Sequence, residues 1–292
     1  MRSRVIMFLA AVLVAMVLSE LRTPVRAAEV VHFSSAVLPP SPFKLRQARA
    51  QGKQLKQQPG TPLWGHLDKP AGTGPFPVLV LMHGCNGIHQ SDARWAALLT
   101  KLGYVTLILD SFRPRSLFSV CQTPVRIASP TMRALDAHGA LAYLQRLAFV
   151  DADRIGLVGW SHGGIAALGA VSQFGIAHHL DQRFRAAVAF YPYCIADRSY
   201  ELPILILMGE SDDWTPVGIC RELQSRSTKQ GIAIELVTYP GAFHGFDVPE
   251  LKQGWSVKGA DGRDHRLKYD KKAHVDAIKR VQSFLARHLL RR

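Results

Sequence analysis

The chain has 292 residues, 48% of them hydrophobic and 20% charged, long and apolar enough to bury a sizeable core in one large α/β domain or two small ones. Its formal charge of +14 is scattered, with no aromatic-interleaved basic stripe, so no nucleic-acid partner is expected. The densest basic run, from Lys271 to Arg292, reads as a solvated helix face.

Arg2 and Arg4 precede an apolar run over 5–18, which is too short to span a bilayer comfortably. Small residues around Ala27 then offer a cleavage site. Residues 1–27 are therefore expected to be a signal peptide, and the mature protein to be periplasmic or secreted, free of integral membrane association. A retained anchor is the alternative. Losing four arginines and one glutamate with the signal lowers the charge from +14 to +11.

Residues 28–60 form a polar N-terminal segment with little periodicity, expected to wrap the domain surface or stay partly mobile. A domain over 61–292 follows. An early strand is expected over 61–67 and a turn over 71–75. Residues 78–82, VLVLM, are a continuous apolar run, as in a strand buried on both faces. His83-Gly84-Cys85-Asn86-Gly87 ends it. A helix over 92–101 and a second buried strand over 104–109 come next. The connection over 110–130, which carries Arg113, Arg115 and Cys121, is long enough to line something or to be stapled.

A helix is expected over 131–147 and a turn over 150–153, leading into the apolar strand 155–158. Further strands are expected over 186–191, 204–208 and 232–237, with a helix to about Ser225 between the last two. Residues 248–270 are polar and glycine-bearing, an insertion or lid edge. The last helix, from about Lys272, places Ala277, Ile278, Val281, Phe284, Leu285 and Leu289 on one face. Strand-helix alternation without repeat or linker argues a single domain: one doubly wound, mainly parallel sheet with helices on both faces.

The chemistry centres on Gly159-Trp160-Ser161-His162-Gly163, a tight turn between a strand and a small-residue helix. Such an elbow lifts a serine hydroxyl above the sheet edge and aims the helix's free N–H groups at it. A serine hydroxyl needs a base, and the base needs an acid to fix its tautomer. His244 follows the last strand. Asp212 and Asp213 follow an earlier one, and either could serve. The order serine, aspartate, histidine along the chain, each after an apolar strand, brings the three to the rim where open sheets bind ligands. The N–H groups of His162 and Cys85 are expected to form the oxyanion hole, where one donor is worth about 3 kcal/mol.

Four cysteines, Cys85, Cys121, Cys194 and Cys220, suit an oxidising compartment. Proximity favours 85 with 121 and 194 with 220, though three pairings exist. No spacing suggests a metal site, and His178-His179 reads as a solvated loop.

Together LMHGCNG, DSFRPR, GWSHGG, GESDDWTP and YPGAFHGF give residues from about 62 to 290 a resemblance to the dienelactone hydrolase-like family of α/β hydrolases. The resemblance implies a compact α/β-hydrolase fold with little or no cap, acting on small esters or lactones without a cofactor. Within it, the aspartate four residues before Pro216 is preferred, which is Asp212. The founding dienelactone hydrolases use a cysteine nucleophile, whereas this chain has Ser161, which moves the expectation toward a serine esterase. Trp160, Trp214, Phe246 and Phe112 flank the motifs as candidate substrate contacts. Arg113 and Arg115 are candidate partners for a substrate carboxylate, or structural ion pairs. A peptidase or acyltransferase on the same triad, and a non-catalytic envelope binding protein, are the rival readings.

Overall fold

A computed structural model describes residues 28–54, 59–123, 129–229 and 234–290. The expected signal peptide, residues 1–27, lies outside them. Eight strands form one sheet: β1 (Glu29–Ser34), β2 (Pro62–Asp68), β3 (Phe76–Met82), β4 (Val105–Asp110), β5 (Val150–Trp160), β6 (Ala187–Phe190), β7 (Ile204–Gly209) and β8 (Ile234–Tyr239). Their spatial order is β1-β2-β4-β3-β5-β6-β7-β8. The pairs β1/β2 and β2/β4 are antiparallel, and every pairing from β4 to β8 is parallel. A separate hairpin pairs β9 (Trp255–Lys258) with β10 (Asp264–Leu267).

The central strands are mostly apolar because neither face of their buried stretches meets water. Every residue of β4, β6 and β7 is buried, as are the last six residues of β5. The flanking helices are α1 (Pro42–Ala50), α2 (Gln90–Lys101), α3 (Pro130–Leu144), α4 (His162–Ala170), α5 (Val217–Lys229) and α6 (Lys271–Leu285). Helices α3 and α4 pack on each other, while Trp95 of α2 comes within 6.1 Å of His274 of α6. Side-chain caps start three of them: Ser41 accepts from Lys44 N–H at 3.3 Å, Ser129 from Met132 N–H at 3.1 Å, and Asp270 from Ala273 N–H at 3.0 Å.

Two expectations need correction. The N-terminal segment is not simply a polar wrap. Its first residues make β1, whose Val31 and Phe33 are buried while Val30 and His32 face outward. That alternation belongs to a half-buried antiparallel edge strand. Residues 150–153 open β5 rather than turning into it, with a register shift against β3. The insertion at 248–270 is built around the β9–β10 hairpin.

The sheet order also positions the site. The chain runs outward from β3 to β4, then crosses back to place β5 on the other side of β3. The loops after β3 and β5 therefore leave side by side at a topological switch point, where open sheets leave a crevice.

Candidate active site

Ser161 sits at the apex between β5 and α4 with φ +52° and ψ −117°, a backbone conformation that few residues other than glycine adopt. Only small neighbours permit it. A Cβ at Gly163 would strike the carbonyl oxygens of Met82 and His83, and one at Gly159 would strike the Gly163 carbonyl. The strain holds the serine side chain clear of the sheet.

His244, carried by the loop after β8, lies with Nε2 2.9 Å from Ser161 Oγ and Nδ1 2.8 Å from Asp212 Oδ2. Asp212 is buried and fully used. Its Oδ1 accepts from the N–H groups of Trp214 (2.9 Å) and Thr215 (2.8 Å), and its Oδ2 also accepts from the Thr215 hydroxyl at 2.8 Å. Burial alone would push this carboxyl up; the His244 imidazole and the Thr215 donors outweigh it and hold it below the usual carboxylate range. Asp213 points elsewhere: half-exposed, it accepts from Arg266 N–H at 3.2 Å and has His265 Nδ1 3.6 Å away.

Cys85 lies in the loop after β3 and lines the cleft beside Ser161. It is disulfide-bonded to Cys121, and Cys194 to Cys220. The first bridge staples the long connection after β4 across the loop after β3, helped by Val120 N–H donating to the Cys85 carbonyl at 2.8 Å. His162 opens α4, so its N–H is free of the helix's own hydrogen bonding.

Two cavities meet at Ser161. One, of about 320 Å³, is walled by Trp95, Trp160, Tyr191, Trp214 and Leu251. The other, of about 480 Å³, is walled by Cys121, Ile165, Tyr193, Trp214 and Arg263. Trp160 and Trp214 thus line the cleft, and Trp214 stacks on His265 of the hairpin with ring centroids 5.1 Å apart. The hairpin is tied to the site by Lys268 N–H, which donates to the His244 carbonyl at 3.1 Å. Among the described residues, no group of three or more His, Cys, Asp or Glu is placed to hold a metal ion.

Other expected contacts lie elsewhere. Phe246 is fully buried, packed on Phe190, Tyr191 and Tyr239, and belongs to the core. Phe112 is also fully buried, against His83 and Arg133. Arg113 is exposed, its guanidinium 5.6 Å from the Phe118 ring centroid and outside both cavities. Arg115 is a structural partner of buried Asp136 through two bonds of 2.9 and 2.7 Å.

Sequence reasoning missed the support beneath the histidine. Tyr191, at φ +37°, packs its ring against His244 with centroids 4.5 Å apart and planes tilted by 55°, and donates its hydroxyl to Asp247 Oδ1 at 2.7 Å. Asp247 Oδ2 accepts from both Trp95 and Trp160 indole N–H groups at 2.9 Å. The signal was an aspartate inside the aromatic run Phe243 to Val248, where a charge is costly unless bonded. Nearby Asp92 is pushed up to about 6, first by burial and further by Asp247.

Comparison with known proteins agrees with this architecture. A Bradyrhizobium protein described as a probable 2-oxo-3-(5-oxofuran-2-ylidene)propanoate lactonase is 29% identical over 200 residues, covering 62% of this chain and 77% of that one. A Methylorubrum extorquens protein assigned as a carboxymethylenebutenolidase is 23% identical over 239 residues, covering 75% of each chain. Among solved structures, a Klebsiella pneumoniae protein assigned as a dienelactone hydrolase superposes with a TM-score of 0.62 at 18% identity, over 89% of this chain and 100% of that one. The model of the dienelactone hydrolase family matches residues 63–289, most of the sequence, and the chain belongs to that family.

Proposed function

We propose that the protein is a serine hydrolase that cleaves small ester or lactone bonds through an acyl-enzyme, with Ser161 as nucleophile, His244 as general base and acid, and Asp212 as the orienting carboxylate. The observation that carries this is the unbroken relay from Ser161 Oγ to His244 Nε2 (2.9 Å) and from His244 Nδ1 to Asp212 Oδ2 (2.8 Å) at a strained elbow. Family membership and the lactonase names of two relatives support the substrate class.

The imidazole donates Nδ1–H to Asp212, leaving Nε2 to take the hydroxyl proton as Ser161 Oγ attacks the acyl carbon. Negative charge then forms on the carbonyl oxygen, where the N–H groups of Cys85 and His162 hydrogen-bond it. Collapse expels the alcohol or ring oxygen, protonated by His244. A water deprotonated by the same nitrogen releases the acid and restores Ser161. Two cavities meeting at the nucleophile give the acyl and leaving groups separate places. Export is part of the proposal: two disulfides fit an oxidising compartment, and among the described residues no helix is long and apolar enough to cross a membrane.

The test is turnover of a panel of p-nitrophenyl esters, lactones and peptides by parent, S161A and H244A. Ester or lactone cleavage that falls at least about 1,000-fold in both variants is expected. Turnover untouched in either variant, or peptides cleaved faster than esters, sinks the reading.

A further inference from the structure

Arg133, in the first turn of α3, is fully buried beneath the two loops that carry the oxyanion donors. Its Nη1 lies 2.8 Å from His162 Nδ1, and its Nη2 donates to the His83 carbonyl at 2.7 Å. The guanidinium also lies 4.9 Å from the Phe112 ring centroid. Each held residue leads to a donor. His162 carries one N–H itself. His83 begins the His83-Gly84-Cys85 turn that presents the other.

The turn is braced twice. While Arg133 fixes the His83 carbonyl, His83 Nδ1 lies 2.8 Å from the Gly84 carbonyl, and His83 Nε2 faces Ser111 N–H at 3.4 Å. Those contacts require Nδ1–H to donate and Nε2 to accept. The Gly84 carbonyl and the Cys85 N–H belong to one planar peptide, so a bond to one end orients the other.

The charge of Arg133 is unusual. Among the described residues no carboxylate lies within ion-pair distance of it, because Asp136 is gripped by Arg115, and its Nε has no partner. Burial, the main cause, lowers its pKa to about 10, which leaves it protonated at neutral pH. His162 is lowered to about 3, by burial and then by Arg133. The ring is therefore neutral and accepts from Nη1–H through Nδ1. A buried cation without a contacting anion is costly. The Asp136, Asp92 and Asp110 carboxylates, beyond ion-pair distance, offset part of that cost at rest; negative charge that forms during reaction, above the same two loops, would offset more of it.

We propose that Arg133 is a positioning residue of the oxyanion hole, holding both donor-bearing loops in register and placing a fixed positive charge beneath the oxygen that becomes negative. This rests on the serine-hydrolase reading above.

The experiment compares R133K, R133Q and R133M with the parent and with S161A. Activity is referred to active sites titrated to completion with a fluorophosphonate. The readouts are kcat and KM for a short p-nitrophenyl ester, and the affinity of phenylboronic acid, which becomes tetrahedral and anionic on a serine. R133Q and R133M are expected to lose about 10- to 100-fold in kcat and a matching factor in boronate affinity, with KM within about twofold. R133K, which keeps the charge but loses the two-point grip, should fall between. Should the neutral variants fail to fold, R133K alone decides by the same readouts. Parent-like kcat and boronate affinity in the folded variants would overturn the proposal. So would a loss seen only as fewer titratable sites, or only as a raised KM. Turnover in S161A would sink the serine reading itself, whereas an inactive S161A beside parent-like Arg133 variants would sink this inference alone.

Discussion

Asp212 and Asp213 are neighbours after the same strand, yet their surroundings make them different tools. Asp212 is buried among four donors, including His244 Nδ1, whereas Asp213 is half-exposed and faces the hairpin. D212N would take away the charge that stabilises an imidazolium and the acceptor that fixes its tautomer. We expect kcat on a short ester to fall about 1,000- to 10,000-fold at pH 7.5 with little change in KM, and D213N to stay within about threefold of the parent. Equal losses in the two variants would reverse the assignment. The resemblance to the family favoured Asp212, because the family's pattern places its aspartate four residues before the proline, here Pro216. No such rule covers Phe246 or Arg113. An aromatic or basic residue after a strand can face core, cleft or water, and local sequence does not say which. Arg133 was equally silent, since in one dimension it is an ordinary helix residue.

At the scale of elements, the central strands and the elbow were readable because a strand buried on both faces must be apolar along its whole length. The edges were harder. Strand β1 buries only Val31 and Phe33, and its pairing with residues 62–67 is a long-range event that alternation over six residues barely signals. The β9–β10 hairpin is polar, and its wall against the cleft depends on His265 stacking over Trp214. Cysteine proximity did suggest the pairs that the fold brings together, and those bridges carry the element-scale prediction. They close loops with sequence separations of 36 and 26, so each restricts the unfolded chain by about 3.5–4 kcal/mol in the chain-entropy model. Guanidinium melts of C194A/C220A should show that loss while the folded enzyme retains its kcat. C85A/C121A should lose similar stability and kcat as well, because its bridge anchors the loop that presents the Cys85 N–H. Equal kcat in both double variants would show that the staple does not position the oxyanion donor.

Taken whole, the molecule buries titratable groups along with its apolar core, and this sets its response to acid. His83, His138 and His162 are all held below the ordinary histidine value of 6.5, in each case chiefly by burial: His138 to about 4, His162 to about 3 and His83 well below. They remain neutral in the folded protein while the unfolded chain binds a proton at each. Their contribution to stability is therefore present above pH 6.5 and drains away as pH falls toward 4. Burial raises Asp92 to about 6 and also raises Asp136, so the folded state gains protons there and opposes the trend. His274 and His288 are lowered as well, again chiefly by burial, so the histidines outnumber the two raised carboxyls and unfolding takes up protons on balance near pH 5. Guanidinium melts at pH 7.5, 6 and 5 should show the midpoint falling at each step. His138 lines neither cavity at Ser161 and donates Nε2–H to the Ala170 carbonyl at 2.9 Å, so it isolates the effect. H138Q keeps a donor but cannot titrate, and should remove about one proton's worth of slope between pH 6.5 and 4. Conversely, D92N should steepen the acid loss between pH 6 and 4, since it removes a group that favours the folded state as it protonates. A midpoint that holds steady from pH 7.5 to 5, or an H138Q slope identical to the parent's, would mean that these imidazoles do not govern acid unfolding.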